Sequence, residues 1–330
     1  MVQDGRPIAW SDSTRLAESD SAFVAQPGGL HVGPGGELLV SDAVNARVFV
    51  FESSGVLRQI VGARGRGPGE LLSPSAVAIL GGDRLIVVDN ATARLNQFSL
   101  ADGSYLGAVR LPGAVTDIRA ANDGVWLASA QFESGRSHAS WKAGTDVMTH
   151  HGNVPEAYER FPRLRRNLGH GTLALAPDGL WVGMMGTNSL ELFADAGDTV
   201  ASRSVEIRRE RRRGVPLDNS AMLASEMSYE DEVQSVSALV ASGALTDGRI
   251  ATVHLDLALK GETVERSGFL SLVDGVTGRG CVDLPVTIAS EVMPVFRFEG
   301  DALYSVDSRP AADGSPQTWV RRFDLSALRC

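Results

Sequence analysis

The chain has 330 residues, of which 43% are hydrophobic and 22% are charged, so it is long enough for two average domains or one large all-β domain. Its net charge of −9 at pH 7 argues against a basic nucleic-acid-binding surface. The sequence also contains no apolar run of the roughly 18 residues that a membrane-spanning helix needs. The 36 glycines exceed the usual share of about 7% and indicate many tight turns.

Apolar and polar residues alternate in packets of four short segments, a pattern typical of β-strands. The first packet spans residues 28–62, and the second spans residues 74–111. The two packets match at a constant offset of 47 residues. This offset superimposes Pro27 on Pro74, Leu30 on Val77, Asp42 on Asp89 and Arg47 on Arg94. A repeat of this length with four strands per unit predicts the blades of a β-propeller.

Looser versions of the same unit follow at residues 114–152, 170–207, 235–286 and 291–326. The last unit is one strand short, whereas the segment 14–19 is a strand candidate that belongs to no unit. Pairing that segment with the last unit would close the ring and remove an exposed sheet edge. We therefore predict a single all-β domain over residues 1–330, a six-bladed β-propeller with four-stranded antiparallel blades and an N-terminal closing strand.

One segment, residues 209–234, breaks the alternation. Its sequence from residue 216 reads PLDNSAMLASEMSYEDEVQ and contains good helix formers. Asp218, Asn219 or Ser220 could cap a short helix there. We predict a helical insertion between blades 4 and 5.

The glycine-rich stretch GARGRGPGELLSP occupies residues 62–74. A phosphate-binding loop would need GxxxxGK[ST], or GxGxxG opening a helix, but no lysine follows here and the next predicted element is a strand. We interpret the stretch as the crossover from the first blade to the second. Leu71 or Leu72 is expected to pack between the two blades.

This crossover, followed by Val88, Asp89, Asn90 and Arg94, resembles the NHL repeat, and the chain is most similar to bacterial six-bladed propellers of that type. The resemblance implies a fold and no particular reaction, because propellers include enzymes, binding modules and scaffolds. It also implies a periplasmic or extracellular protein. The N-terminus, MVQDGRPIAW, lacks a signal-peptide pattern, so we expect a targeting segment to have been removed.

Histidines on different blades supply one candidate site. His31, His170 and His254 are each predicted near the upper mouth of the central channel, where three imidazoles could bind zinc, or calcium could be bound. Propeller lyases that cleave peptidyl hydroxyglycine, which resemble this repeat type, contain such a site. No spacing motif supports the site, and the alternative is that each histidine is a separate hydrogen-bonded or surface residue.

Charged residues supply a second candidate site. Two arginine runs lie in the crossovers into blades 4 and 5, and their candidate ligand-binding residues are Arg163, Arg165, Arg166, Arg211, Arg212 and Arg213. Clustered arginines attract anions, although a solvated loop paired with nearby glutamates is the alternative. Asp117 and Glu291 are predicted to line the channel. The recurring Asp42, Asp89 and Asp307 are interpreted as structural carboxylates that cap turn amides or pair with arginine.

The function predicted from these features is a binding module whose upper funnel holds a small anionic ligand or a protein partner. The alternatives are a metal-dependent lyase or hydrolase that uses the three histidines, and a purely structural scaffold. We expect a monomer that binds no nucleic acid, and no disulfide between Cys281 and Cys330.

Overall fold

Six antiparallel sheets of four strands each form the blades of a ring in this computed structural model. The structure describes residues 7–19, 21–160, 165–166, 169–186, 189–194, 199–206, 237–260, 263–288, 294–310 and 316–328. The first strand of each blade contacts the first strand of the next, and the sixth contacts the first, so these inner strands surround a central channel. The predicted six-bladed propeller fold is confirmed.

The first half of the chain forms the closing strand and blades 1 to 3. The strand β1 (Asp12–Arg15) belongs to blade 6. Blade 1 contains β2 (Pro27–Val32), β3 (Leu38–Asp42), β4 (Arg47–Phe51) and β5 (Leu57–Val61), and the crossover after it contains β6 (Ala63–Arg64) and β7 (Glu70–Leu71). Blade 2 contains β8 (Pro74–Leu80), β9 (Arg84–Asp89), β10 (Arg94–Ser99) and β11 (Tyr105–Arg110). Blade 3 contains β12 (Asp117–Ala121), β13 (Gly124–Ala128), β14 (His138–Lys142) and β15 (Met148–His151).

The second half of the chain forms blades 4 to 6, after a short helix α1 (Glu156–Arg160). Blade 4 contains β16 (Gly171–Ala176), β17 (Gly179–Met184), β18 (Ser189–Ala194) and β19 (Thr199–Glu206). Blade 5 contains β20 (Ser237–Ala244), β21 (Arg249–Lys260), β22 (Thr263–Asp274) and β23 (Gly280–Val286). Blade 6 contains β24 (Val295–Glu299), β25 (Ala302–Pro310) and β26 (Pro316–Asp324), with β1 as its outer strand.

The hydrophobic core is divided among the blade interfaces, each of which contains its own cluster of buried side chains. Successive residues of a strand face opposite neighbours, so Leu173 packs toward blade 3 and Ala174 toward blade 5. Both faces of a blade are therefore buried. This explains why apolar residues occur at consecutive positions in strands such as β8 and β9.

The repeated aspartates tie each crossover to its own blade. The Asp42 carboxylate accepts hydrogen bonds from the amides of Ala25 and Gln26 in the incoming chain and from Val44 and Asn45 in the turn. Asp89 repeats this arrangement, because its carboxylate accepts the amides of Leu72, Ser73 and Ala91. The structural interpretation of these two aspartates is confirmed.

The glycine-rich crossover after blade 1 folds back on itself through a short parallel pairing of β6 with β7. Leu71 is fully buried in the cluster between blades 1 and 2, as expected for a residue that packs between blades. Gly62 has a φ of 81°, and a Cβ atom there would lie 2.5 Å from Leu71 Cδ1. Glycine is thus required at position 62 both for its backbone conformation and for the space it leaves.

The N-terminal segment closes the ring. The ladder between β1 and β26 pairs Arg15 with Trp319, and the segment then crosses to blade 1, where the Ala17 amide donates to the Gly55 carbonyl. The Glu18 carboxylate accepts from both the amide and the hydroxyl of Thr318 in blade 6 and from the Val24 amide beside blade 1. The predicted closing strand is therefore confirmed, although it covers residues 12–15 rather than 14–19 because the chain leaves blade 6 at Leu16.

The predicted helical insertion at residues 209–234 lies outside the described residues. No helix in the described part of the chain has the length and apolar character needed to cross a lipid bilayer.

The ring closure by Glu18 is testable. Replacing Glu18 by Ala leaves the amides of Thr318 and Val24 without their carboxylate acceptor and removes one partner of the Thr318 hydroxyl, so we expect the free energy of unfolding to fall by about 2–4 kcal/mol. Glu52→Ala is the matched control, because Glu52 is exposed, and its change should stay within about 0.5 kcal/mol. Urea denaturation followed by tryptophan fluorescence measures both values. Equal stabilities of the two variants would contradict the assigned role.

Candidate functional site

Two cavities occupy the central channel. The upper cavity opens where the inner strands begin, and its volume is about 390 Å³. The lower cavity opens where the inner strands end, and its volume is about 350 Å³. Two arginines line both cavities, Arg119 from blade 3 and Arg297 from blade 6. These blades lie opposite each other in the ring, so the two side chains form a constriction between the cavities.

Arg119 joins three blades through its guanidinium group. Nη1 donates to the carboxylate of Asp117 at 2.9 Å, Nε donates to the carbonyl of Leu173 in blade 4, and Nη2 donates to the carbonyl of Ser242 in blade 5. The other carboxylate oxygen of Asp117 accepts the Leu173 amide at 2.8 Å. Asp117 and Arg119 together thus satisfy both backbone groups of Leu173, which belongs to an inner strand.

Arg297 crosses the channel from the opposite side. Its Nη1 atom donates to the Ile118 carbonyl in blade 3 at 2.9 Å, and its Nη2 atom lies 3.2 Å from Nδ1 of His31 in blade 1. Nη1 is also 3.7 Å from the Asp117 carboxylate, and Nε is 3.7 Å from the Glu299 carboxylate. Only 4% of Arg297 is exposed, so the guanidinium is almost entirely enclosed by protein.

His31 is buried beside the two arginines. Burial, and to a smaller extent the charge of Arg119, lowers the pKa of His31 from its ordinary value of 6.5 to about 4. The imidazole is therefore neutral at pH 7. Because a guanidinium can only donate, Nδ1 of His31 must accept the bond from Arg297, and the proton of the neutral ring lies on Nε2.

The three predicted metal ligands do not share one location. His31 lines the lower cavity and His170 lines the upper cavity, whereas His254 lies on β21, the second strand of blade 5, and lines neither. Across the described ranges, histidine, cysteine, aspartate and glutamate side chains form no group of three or more that could hold a metal ion. His170 is exposed at the upper cavity, and partial desolvation by the surrounding protein lowers its pKa below the ordinary value of 6.5, which favours the neutral form at pH 7.

The predicted anion-binding arginines are only partly described. The guanidinium of Arg165 donates to the carbonyls of Ala130 and Phe132, which fixes the crossover onto blade 3. Arg166 is exposed. Arg163, Arg211, Arg212, Arg213 and Glu291 lie outside the described residues. Asp117 does line the upper cavity, as the sequence suggested.

Sequence reasoning missed the two arginines at the constriction. Each is a charged residue inside an apolar inner strand, as the segments Ile118–Arg119–Ala120 and Phe296–Arg297–Phe298 show. A charged side chain in such a strand is costly unless it is paired. An isolated arginine between apolar residues of a predicted inner strand therefore indicates a buried, paired charge. Anion binding was predicted instead at the longer arginine runs in the crossovers.

Comparisons with known proteins agree on the fold. A family model described as "6-bladed beta-propeller" (DUF5128) matches residues 16–155. No curated protein matches the chain. These comparisons do not assign the repeat to the NHL type, so that assignment stays a prediction.

Similar solved structures cover nearly the whole chain at low identity. A candidate exported protein of Bacteroides fragilis NCTC 9343 is 13% identical, with a TM-score of 0.65 over 95% of this chain and 94% of that one. A DUF4221 family member of Bacteroides vulgatus ATCC 8482 is 9% identical, with a TM-score of 0.66 over 96% and 97%. Virginiamycin B lyase of Staphylococcus aureus is 12% identical, with a TM-score of 0.53 over 94% and 98%. Identities this low show a shared fold only.

Removing one arginine tests the constriction. Arg119→Met keeps the side-chain length but removes the cation paired with the Asp117 carboxylate and the donors to the carbonyls of Leu173 and Ser242. We expect the free energy of unfolding to fall by about 3–5 kcal/mol, as is usual when one partner of a buried ion pair is removed. Arg166→Met is the control and should change stability little. A similar small effect at both positions in urea denaturation would argue against the bonds described.

The neutral His31 predicts a pH-dependent stability. The unfolded chain takes up a proton on this residue below about pH 6.5, whereas the folded protein takes it up only near pH 4. The free energy of unfolding should therefore fall as the pH is lowered from 6.5 to 4, by up to about 1.4 kcal/mol per pH unit from this group. His31→Gln can still accept the bond from Arg297, and it should show a shallower fall in urea denaturation at each pH. Equal slopes would contradict the assignment.

Proposed function

We propose that the protein is a binding module that holds a small, largely apolar molecule with one anionic group in its upper cavity. The observation that carries this proposal is the composition of the cavity. Its walls are apolar and include Leu30, Val77, Met185, Val240, Val295 and Phe296. Its floor is formed by charged groups at the constriction. A concave cavity of about 390 Å³ that combines apolar side chains with convergent polar groups is typical of small-molecule sites.

The charge of the lining favours an anion. Arg119 and Arg297 carry two positive charges, Asp117 carries one negative charge, and His170 is neutral at pH 7. Among the groups that line the upper cavity one positive charge is therefore in excess, and the Glu299 carboxylate, 3.7 Å from Nε of Arg297, lies on the lower side of the constriction. A carboxylate or similar monoanion would balance this excess in surroundings of low polarity, where charge interactions are strong.

The same geometry favours a small molecule over the two other candidates. A protein partner would bind through an extended surface, whereas the described site is a cavity at the end of a narrow channel. A metal-dependent lyase or hydrolase would need convergent ligands, and His31, His170 and His254 point to different parts of the molecule. The arginines of the two crossovers are proposed to attract the anion toward the upper cavity, and Arg166 among them is exposed.

We also propose that the protein acts outside the cytoplasm, in the periplasm or the extracellular space. The support is the structural similarity to the Bacteroides fragilis neighbour, which is described as a candidate exported protein. Detection of the native chain in a periplasmic or secreted fraction would test this location.

Octanoate is a suitable probe of the upper cavity, because it combines an apolar tail with one carboxylate. We expect isothermal titration calorimetry to show octanoate binding at least about tenfold more tightly than 1-octanol, which corresponds to about 1.4 kcal/mol. Val240→Trp places a bulky ring in the upper cavity and should abolish octanoate binding. Leu175→Trp fills the lower cavity instead and is the matched control, with octanoate affinity unchanged.

Two outcomes would count against the proposal. Equal affinity for octanoate and 1-octanol would remove the anionic component. Unchanged octanoate binding in Val240→Trp, with the thermal unfolding midpoint preserved, would show that the upper cavity is not the site.

A further inference from the structure

The lower cavity contains charged groups whose hydrogen bonding is incomplete. Arg297 has five N–H donors, but its only hydrogen-bond acceptors among the described residues are the Ile118 carbonyl and Nδ1 of His31. Its Nε atom is buried without a hydrogen-bond partner. Glu299 is 3.7 Å from that Nε atom, too far for a hydrogen bond, and its carboxylate accepts none from the described residues. A donor group and an acceptor group therefore lie side by side, each with unused capacity.

His31 adds a further donor to this cavity. Its Nδ1 atom is occupied by Arg297, so Nε2–H is the free polar group of the ring, and the described residues offer no acceptor for it. The side chain is only 7% exposed, and that small surface lies on the lower cavity. An acceptor placed there could bind Nε2–H and the spare donors of Arg297 together.

The opposite charges of the lower cavity identify the kind of ligand. Arg119 is already hydrogen-bonded to Asp117 at 2.9 Å, whereas Arg297 and Glu299 are 3.7 Å apart, so Arg297 and Glu299 are the pair that a ligand would meet. A simple anion would be attracted by Arg297 but repelled by Glu299. A simple cation would be attracted by Glu299 but repelled by Arg297. A molecule with both charges satisfies both groups. Because the two protein charges are only 3.7 Å apart, the two ligand charges must also be close.

We propose that the lower cavity binds an α-amino acid, whose carboxylate accepts from Arg297 and His31 and whose ammonium group donates to Glu299. The cavity volume of about 350 Å³ accommodates a molecule of this size. Ile79, Leu175 and Phe298 supply an apolar wall for the side chain of the ligand. This site lies on the other side of the constriction from the upper cavity; the two sites share Arg297, but the walls that fill each cavity are different residues, so either proposal can fail alone.

Calorimetry with chemically related probes tests both halves of this recognition. We expect L-leucine to bind the full chain at pH 7. N-acetyl-L-leucine lacks the ammonium group and L-leucinamide lacks the carboxylate, so each should bind at least about tenfold more weakly. 4-Aminobutyrate has both charges but holds them further apart, and it should also bind at least about tenfold more weakly.

Variants then locate the site. Glu299→Gln should weaken L-leucine at least about tenfold and should leave octanoate binding in the upper cavity unchanged. Glu37→Gln is the matched control and should change neither, because this carboxylate lies at the same end of the propeller but outside the cavity lining. Leu175→Trp should abolish L-leucine binding, whereas Val240→Trp should preserve it.

The proposal is overturned if folded wild-type protein binds no L-leucine, if N-acetyl-L-leucine binds as tightly as L-leucine, or if Glu299→Gln binds L-leucine normally. These failures are distinguishable from failure of the proposed function, because Val240→Trp and Leu175→Trp each fill one cavity only. If the wild-type protein binds L-leucine but not octanoate, the result rejects the proposed upper site and supports the lower one.

Discussion

The unpaired inner edges of the blades are the constraint on which the centre of this structure depends. Each inner strand pairs with the second strand of its own blade, and its other edge faces the channel, where backbone amides and carbonyls have no strand partner. In a narrow channel these groups cannot all be fully hydrated. Arg119 and Arg297 meet this need by donating to the carbonyls of Ile118, Leu173 and Ser242 on three different inner strands.

This solution has consequences for chemistry. Two guanidinium groups from opposite blades divide one channel into two cavities, and the charge beside each cavity is set by which carboxylate accompanies the arginines. Asp117 lies on the upper side and Glu299 on the lower side. Burial, and to a smaller extent the charge of Arg119, lowers the pKa of His31 and keeps this side chain neutral at pH 7. Arg119 and Arg297 thus hold the blades together and also line both candidate binding cavities.

The connections across the channel also bear on rigidity. Arg119 and Arg297 link blades 1, 3, 4, 5 and 6, while Glu18 joins blade 6 to blade 1 at the periphery. The ring is therefore held both across its diameter and at its closure. Because a side chain that satisfies buried carbonyls cannot move freely, ligands on either side meet groups that are already oriented, which reduces the entropy lost on binding.

Candidate residues were predictable to the extent that their roles are local. Asp42 and Asp89 repeat at one position of the blade and bond to amides close in sequence, so the repeat itself revealed their structural role. Leu71 was recognised in the same way. The positions of the histidines relative to one another could not be predicted, because they depend on the rotation between blades. His31 and His170 both belong to the channel region, yet they line opposite cavities.

The sequence by itself determined the blade count, the strand pattern and the N-terminal closure, because these follow from alternation and from a repeat that can be counted along the chain. Only the tertiary structure decided which side chains meet at the axis. Arg119 and Arg297 are 178 residues apart and approach each other only when the ring closes. Their partners are largely backbone carbonyls, which every residue has, so no residue type in the sequence marks where a buried arginine will be paired.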